Sequence, residues 1–261
     1  MIHLLYIDGE AQEVQVESIT RKATIVSGLN AGRMRSGDRF YDVIGTYYDY
    51  GFSVYPDYGQ LERYAELQRK IASAELQNTF IVPFGQGYMK FEGFITQAND
   101  HLETAISKTL WSDMTFTVEA GGPERFAGEV WTPTNATESG TLVVDGYGFD
   151  VAVSSLRRVA EVHENNSARS MYGKMNRYPI GTYQSYEMEI GTLGSHAQYD
   201  DLYYLLSAPV EYHDIEVRLP EGKIELRAHV SSISDKLIAV SKKEWLWGEM
   251  RLTFDAVNLG V

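Results

Sequence analysis

The sequence predicts a mainly β, α+β protein made of two tandem domains, each ordered as β-hairpin, long loop, strand, helix, hairpin, strand. Three observations predict it: an internal repeat, period-2 alternation with Asp-Gly turns, and one stretch of helical spacing per repeat. In the repeat, Leu142-Val143-Val144-Asp145-Gly146 echoes Leu5-Tyr6-Ile7-Asp8-Gly9 at an offset of 137. The same offset carries Val14, Val16, Ile19 and Arg21 onto Val151, Val153, Leu156 and Arg158. At 136, Ile44-Gly45-Thr46-Tyr47-Tyr48-Asp49-Tyr50 meets Ile180-Gly181-Thr182-Tyr183-Gln184-Ser185-Tyr186, and Trp111 and Met114 meet Trp247 and Met250. Asp100 and Leu102 fall on Asp235 and Leu237 at 135, and Pro83 and Gly85 on Pro220 and Gly222 at 137. One register held to within two residues along the chain divides it into copies at 1–120 and 142–261, joined by a connector at 121–141.

The elements follow in order within each copy. Asp8-Gly9 and Asp145-Gly146 are strong hairpin signals, because both residues tolerate the positive φ that a two-residue turn needs. They predict strands at 2–7 and 11–17 and a matching pair in the second copy. The aromatic run from Val43 to Tyr55 and its partner from Thr182 to Ile190 read as strands; Tyr186, Met188 and Ile190 share one face, Glu187 and Glu189 the other. Residues 58–76 read as a helix, with Leu61, Tyr64, Ala65, Gln68, Ile71 and Ala72 at helical spacing and Glu62, Glu66, Arg69 and Lys70 outside the stripe. A shorter helix is expected at 199–207, stopped by Pro209. Hairpins are then expected at 79–84 with 88–96 and at 213–219 with 223–231, and closing strands at 114–119 and 250–256.

Composition narrows the functional classes. The chain has 261 residues, no cysteine and a net charge of −13. Such a charge opposes wrapping of nucleic acid, since repulsion replaces the gain from counterion release. Without cysteine there is no disulfide framework or thiolate metal site. No apolar run approaches the ~20 residues that span a bilayer, and the first residues lack a signal-peptide pattern, so folding in a cytoplasm is expected.

Against the acidic background two segments are basic. Residues 27–40 carry Arg33, Arg35 and Arg39 against Asp38, and residues 164–177 carry Arg169, Lys174 and Arg177 against Glu164. Equal charge, length and position in both copies predict arms that reach onto an acidic neighbouring subunit.

No catalytic, cofactor or metal site is predicted. The six histidines, His3, His101, His163, His196, His213 and His229, show no metal-ligand spacing. His213 and His229 lie on expected neighbouring strands, but His229 opposes the Leu226, Ala228 and Val230 face and is expected to be exposed. Glu187 and Glu189 share a strand face about 7 Å apart, which reads as a wet face rather than a glycosidase pair. Gly85-Gln86-Gly87 joins two strands and reads as a turn rather than a phosphate loop. Tyr47, Tyr50, Tyr183 and Tyr186, at matched positions, read as core and interface packing; stacking on sugar rings is the competing reading.

The stretches Tyr199-Asp200-Asp201-Leu202, Leu206-Ser207-Ala208-Pro209, His213 to Gly222, Ala228 to Ser232 and Trp247 to Ala256 resemble tail proteins of long-tailed bacteriophages and prophages, specifically the small tail-tube-fold domains of tube, baseplate hub and distal tail proteins, so that the resemblance implies two β-sandwich or barrel domains, each with one flanking helix and a long inter-subunit loop. The resemblance covers both copies. It implies a non-enzymatic structural component of the virion tail, assembled in the host bacterial cytoplasm as a homo-oligomeric ring. Two copies per chain imply a trimer of six quasi-equivalent domains, beside other tail proteins (tube, tape measure, baseplate), lining a channel through which DNA passes without specific binding and with no membrane contact. A hexameric distal tail protein is the near alternative, although its second half is lectin-like whereas here both halves match. A carbohydrate-binding accessory of the tail tip is the more distant one.

Overall fold

The computed structural model describes residues 3–33, 39–55, 61–73, 77–104, 110–111, 113–164, 168–191, 195–242 and 244–257. In chain order the first half carries β1 (Tyr6–Ile7), β2 (Glu10–Ala11), β3 (Gln15–Ser27), β4 (Gly32–Arg33), β5 (Arg39–Phe40), β6 (Val43–Tyr55) and α1 (Leu61–Ile71). It continues with β7 (Asn78–Phe84), β8 (Gly87–Asn99), β9 (Leu102–Thr104), β10 (Leu110–Trp111), β11 (Met114–Ala120) and β12 (Arg125–Phe126). The second half carries β13 (Leu142–Val144), β14 (Tyr147–Phe149), β15 (Ala152–Glu164), β16 (Ala168–Arg169), β17 (Met175–Asn176) and β18 (Pro179–Gly191). After these come α2 (His196–Leu206), β19 (His213–Leu219), β20 (Gly222–Val240) and β21 (Trp245–Ala256). The protein is mainly β, and several elements at repeat-related positions have equal lengths, 13 residues for β3 and β15 and for β6 and β18, 11 for the helices and 7 for β7 and β19, whereas β20 with 19 residues and β21 with 12 outrun β8 with 13 and β11 with 7.

Local chemistry fixes the turns. Asp8 and Gly9 sit at φ 52° and 82°, Asp145 and Gly146 at 51° and 84°, the double positive φ of a hairpin turn that matches strand twist. Each turn aspartate then holds the next hairpin. Asp8 accepts from Thr79 N at 2.9 Å and Asn78 Nδ2 at 3.1 Å; Asp145 accepts from Asp214 N at 2.8 Å and lies 2.6 Å from His213 Nδ1. Ile7 pairs with Phe80, and Val144 with Ile215.

Several expectations shift. The strands flanking Asp8-Gly9 are shorter than expected, and the residues after them form the separate long strand β3. At the β7/β8 turn Phe84 faces Gly87, and at β19/β20 Leu219 faces Gly222. The two hairpins therefore match at 135, not at the 137 of the Pro and Gly pairs, because ladder pairing rather than residue identity sets the register. Helix α1 buries Tyr64, Leu67 and Ile71, while Ala65, Gln68 and Ala72 of the expected apolar stripe are exposed. Each expected long loop contains a short hairpin, β4 with β5 and β16 with β17.

The chain divides into two compact units: 1–24, 47–124 and 234–248 form the first, and 25–46, 125–233 and 249–261 the second. Each unit thus holds most of one sequence copy and a segment of the other. In the first unit the strand order is β6-β11-β8-β7-β1-β2. Its core is a relay of rings across four of those strands: Phe80 to Phe91 at 5.7 Å, Phe91 to Tyr50 at 5.7 Å, Tyr50 to Phe52 at 6.1 Å and Phe52 to Phe116 at 5.0 Å. In the second unit β18 lies between β15 and β21, and β20 leads through β19 and β13 to β14, the same order under the repeat offset. Ile215, Met188 and Leu252 take the places of Phe80, Phe52 and Phe116, so aliphatic side chains fill there what rings fill in the first unit.

In the second unit the connector is a strap, not a free linker. The buried Asp201 carboxylate on α2 accepts from Trp131 Nε1 at 3.1 Å, Thr134 N at 2.9 Å and Asn135 N at 2.7 Å. Arg125 Nη1 donates to Tyr204 O at 2.7 Å, and Trp131 packs on Tyr204 at 4.8 Å. Helix α2 consequently buries Tyr199, Asp200, Asp201, Leu202, Tyr203, Leu205 and Leu206, where α1 buries three residues.

Removing the Phe52 ring from the relay, as in Phe52→Ala, is expected to lower unfolding free energy by about 3–5 kcal/mol, measured by urea denaturation. The exposed Phe94→Ala is expected to change it by no more than about 0.5 kcal/mol.

Candidate assembly surfaces

The most demanding polar group lies in the first unit. The Arg21 side chain is fully buried with Asp235, in a two-pronged pair: Nε to Oδ1 at 2.8 Å and Nη2 to Oδ2 at 2.7 Å. Arg21 Cζ stands 4.0 Å from the Trp247 ring centroid and 4.9 Å from that of Phe84. Trp247 is held in turn by its Nε1, which donates to Gly85 O at 2.9 Å. Gln86 clamps Trp245 from both sides of its amide, Nε2 to Trp245 O at 2.8 Å and Trp245 N to Oε1 at 2.9 Å. Every partner on one side of this cluster comes from 234–248, the segment that the second sequence copy lends to the first unit. The expected Gly85-Gln86-Gly87 turn is therefore also the receptor for two tryptophans.

The repeat-related residues are placed differently. Arg158, matched to Arg21, is exposed. Trp111, matched to Trp247, is 39% exposed where Trp247 is 1% exposed. Asp100, matched to Asp235, is half-buried and accepts a hydrogen bond from Tyr64, whose phenol burial and the adjacent carboxylate push well above its ordinary range. Leu61, Tyr64, Ala65, Gln68, Asp100 and Trp111 line a cleft of about 300 Å³ beside α1. A second cleft of similar volume continues along Gln68, Ile71, Ala72, Ile95, Ala98 and Met114.

The two basic arms also differ. In the second unit Arg39 pairs with Asp255 at 2.6 Å and its Cζ stands 5.0 Å from the Tyr41 ring. Tyr41 stacks on His229 at 3.6 Å, and Thr46 Oγ1 donates to Ser207 O at 2.7 Å, at the end of α2. The other arm stays on the surface. Arg169 Nη1 donates to Gly173 O of the same turn at 3.2 Å, Arg177 pairs with Glu164, and Lys174 is exposed. Met171 and Tyr172 between them are 95% and 94% exposed. Arg35 and the side chain of Arg33 lie outside the described residues.

Strand β15 adds an open edge. Among the described residues its ladder partner is β18 alone. Arg157, Arg158, Val159, Ala160, Glu161 and Val162 are all exposed along it. An exposed edge of this length with valines on it is a template for pairing.

The residues weighed for chemistry have structural roles. Glu187 pairs with Arg157 at 2.9 Å and Glu189 with Arg251 at 3.2 Å, a charged outer face. His229, expected at the surface, is instead buried with Ala228 and Val230. Three consecutive buried residues break the strand alternation, which is why a period-2 reading misplaces it. His229 Nδ1 donates to Glu211 O at 2.9 Å, and burial pushes the imidazole down to about 4. Tyr50, Tyr183 and Tyr186 are buried. Among the described residues no group of three or more His, Asp or Glu is placed to hold a metal ion. No helix among them is long and apolar enough to cross a membrane.

Compared with protein-family models and with curated proteins, the chain matches none of either.

Breaking the buried pair by Asp235→Ala is expected to cost about 3–5 kcal/mol, since it strands a desolvated guanidinium. The repeat-related Arg158→Ala is expected to stay within about 0.5 kcal/mol of the parent in the same urea titration. His229 gives a pH dependence of definite sign. Between pH 6.5 and about 4 the unfolded chain binds a proton at this histidine that the folded chain does not. Stability from this group is thus full above pH 6.5 and falls as pH drops toward 4, by about 3 kcal/mol in total. His229→Phe, which keeps a ring against Tyr41, is expected to flatten that part of the stability profile between pH 7 and 4.5.

Proposed function

We propose that the chain is a structural component of a phage tail, a tube- or baseplate-hub-like ring protein in which three chains supply six quasi-equivalent segments around the DNA channel. The observation that carries this reading is the correspondence of the two halves in strand order, in the Asp-Gly turns, in the lengths of β3 and β15, β6 and β18, β7 and β19 and the two helices, and in the short hairpin of each arm. A chain that presents one fold twice is suited to a closed ring with twice as many positions as subunits. Supporting it is the open edge of β15, with the exposed apolar side chains of the 164–177 arm next to it in sequence.

The acidic charge of −13 fits a channel wall that repels DNA phosphates and lets the duplex slide. The 164–177 arm serves as a subunit contact. Arg39 holds one arm within its own chain, and Arg169, Lys174 and Arg177 sit on the arm left for a neighbour. The packing of His229, the ion pairs of Glu187 and Glu189 and the tryptophan contacts of the Gly85-Gln86-Gly87 turn support a structural reading of these residues. Sugar stacking is the weaker reading, because Tyr50, Tyr183 and Tyr186 are buried and Tyr47 is half-buried, whereas a stacking platform needs open ring faces.

Mass photometry and negative-stain imaging of the purified chain, alone and with neighbouring tail proteins, test the proposal. Closed rings of three chains with six density lobes are expected. A monomer at every concentration and in every mixture overturns it.

A further inference from the structure

The buried cluster of the first unit has repeat-related residues on two surfaces of the chain that remain open. In the first unit Arg21 on β3 meets Asp235 and Trp247, and Phe84 at the β7/β8 turn closes the other side. Applying the repeat offsets, the same four places are Arg158 on β15, Asp100, Trp111 and Leu219 at the β19/β20 turn. All are incompletely buried: Arg158 is exposed, Trp111 and Leu219 are 39% and 37% exposed, and Asp100 edges the cleft beside α1. Arg158 and Leu219 belong to the second unit, Asp100 and Trp111 to the first.

We propose that these residues meet between two copies of the chain: Arg158 of one copy enters the Asp100–Trp111 cleft of the next, with Leu219 on the side of the guanidinium away from the Trp111 ring and the free edge of β15 alongside residues 99–104. The inference rests on the ring reading above and names the contact that closes the ring. The occupant is a second copy because the chain already contains this contact once, assembled from one copy's strand and the other copy's distal hairpin. Charge supports it, a guanidinium opposite a carboxylate. So does the open edge, since 99–104 corresponds to the part of β20 that carries Asp235 into the first unit.

The contact is heterologous, one surface of the molecule meeting a different one, so it propagates head to tail until it closes. Desolvation explains why it forms only with all its parts. A buried guanidinium is tolerable when a carboxylate pairs with it in two-pronged geometry and rings cover its faces. In the isolated chain Arg158 keeps its water. On association it gains the carboxylate and the Trp111 face together.

Charge exchange tests the pairing, read by sedimentation velocity and mass photometry. Arg158→Glu and Asp100→Arg are each expected to raise the concentration for half-assembly by at least about tenfold. The double variant R158E/D100R, with the ion pair rebuilt in reverse, is expected to recover most of the loss. Asp100 also bonds Tyr64, so thermal unfolding of D100R is measured alongside. Should D100R fail to fold, the exposed sites decide, R158E and L219E both being expected to impair assembly at unchanged unfolding temperature. Rings that form normally in R158E and L219E overturn this contact and leave the ring reading standing. Single-variant losses with no recovery in a folded double variant overturn the Arg158–Asp100 pairing. A parent chain that never assembles overturns both.

Discussion

A guanidinium that never loses its charge cannot be buried without a partner, and the Arg21 side chain is completely buried. The requirement organises the first unit. Asp235 lies 214 residues further along the chain, so the pair is available only if the 234–248 hairpin leaves its own sequence copy. Once there, Trp247 covers the guanidinium, Gly85 O fixes the indole, and Gln86 holds Trp245. The pair is a stringent condition on the fold more than a large net source of stability, since desolvation offsets most of its Coulomb energy.

The second unit solves a related problem with different groups. Asp201 sits buried on α2 and is satisfied by an indole N–H and backbone N–H groups of the connector. Arg39, Tyr41 and Thr46 bring the other lent segment, 25–46, onto Asp255, His229 and the end of α2. Helix α2 is covered on nearly every side as a result. Helix α1 has no such strap among the described residues and keeps two clefts along its flank. Helices of equal length thus present a covered surface in one unit and an open one in the other.

The legibility of the sequence varied with the range of the interaction involved. The span Val43–Tyr55 and the span His213–Leu219 were readable to the residue, because alternation and flanking turn residues are local. The Asp-Gly turns were readable for the same reason, as φ tolerance belongs to the residue itself. His229 was not, since a run of three buried residues cannot be told from alternation without knowing that Tyr41 lies on the ring. Ala65, Gln68 and Ala72 follow helical spacing whether or not anything packs on them, so spacing alone does not distinguish the outer face of α1 from its buried one. Asp201 offered one signal, an acidic residue amid the apolar positions of a helix, which points to a capping partner without saying that the connector supplies it.

By itself the sequence determined that strands dominate and where the Asp-Gly turns fall, both governed by neighbours a few residues apart. Only the tertiary structure decided which compact unit each segment joins, and hence which of two matched arginines is buried. Arg21 and Arg158 stand in similar local sequence, yet one is enclosed and the other open. The difference lies in whether a carboxylate and an indole from a distant part of the chain arrive to replace the water that the charge gives up.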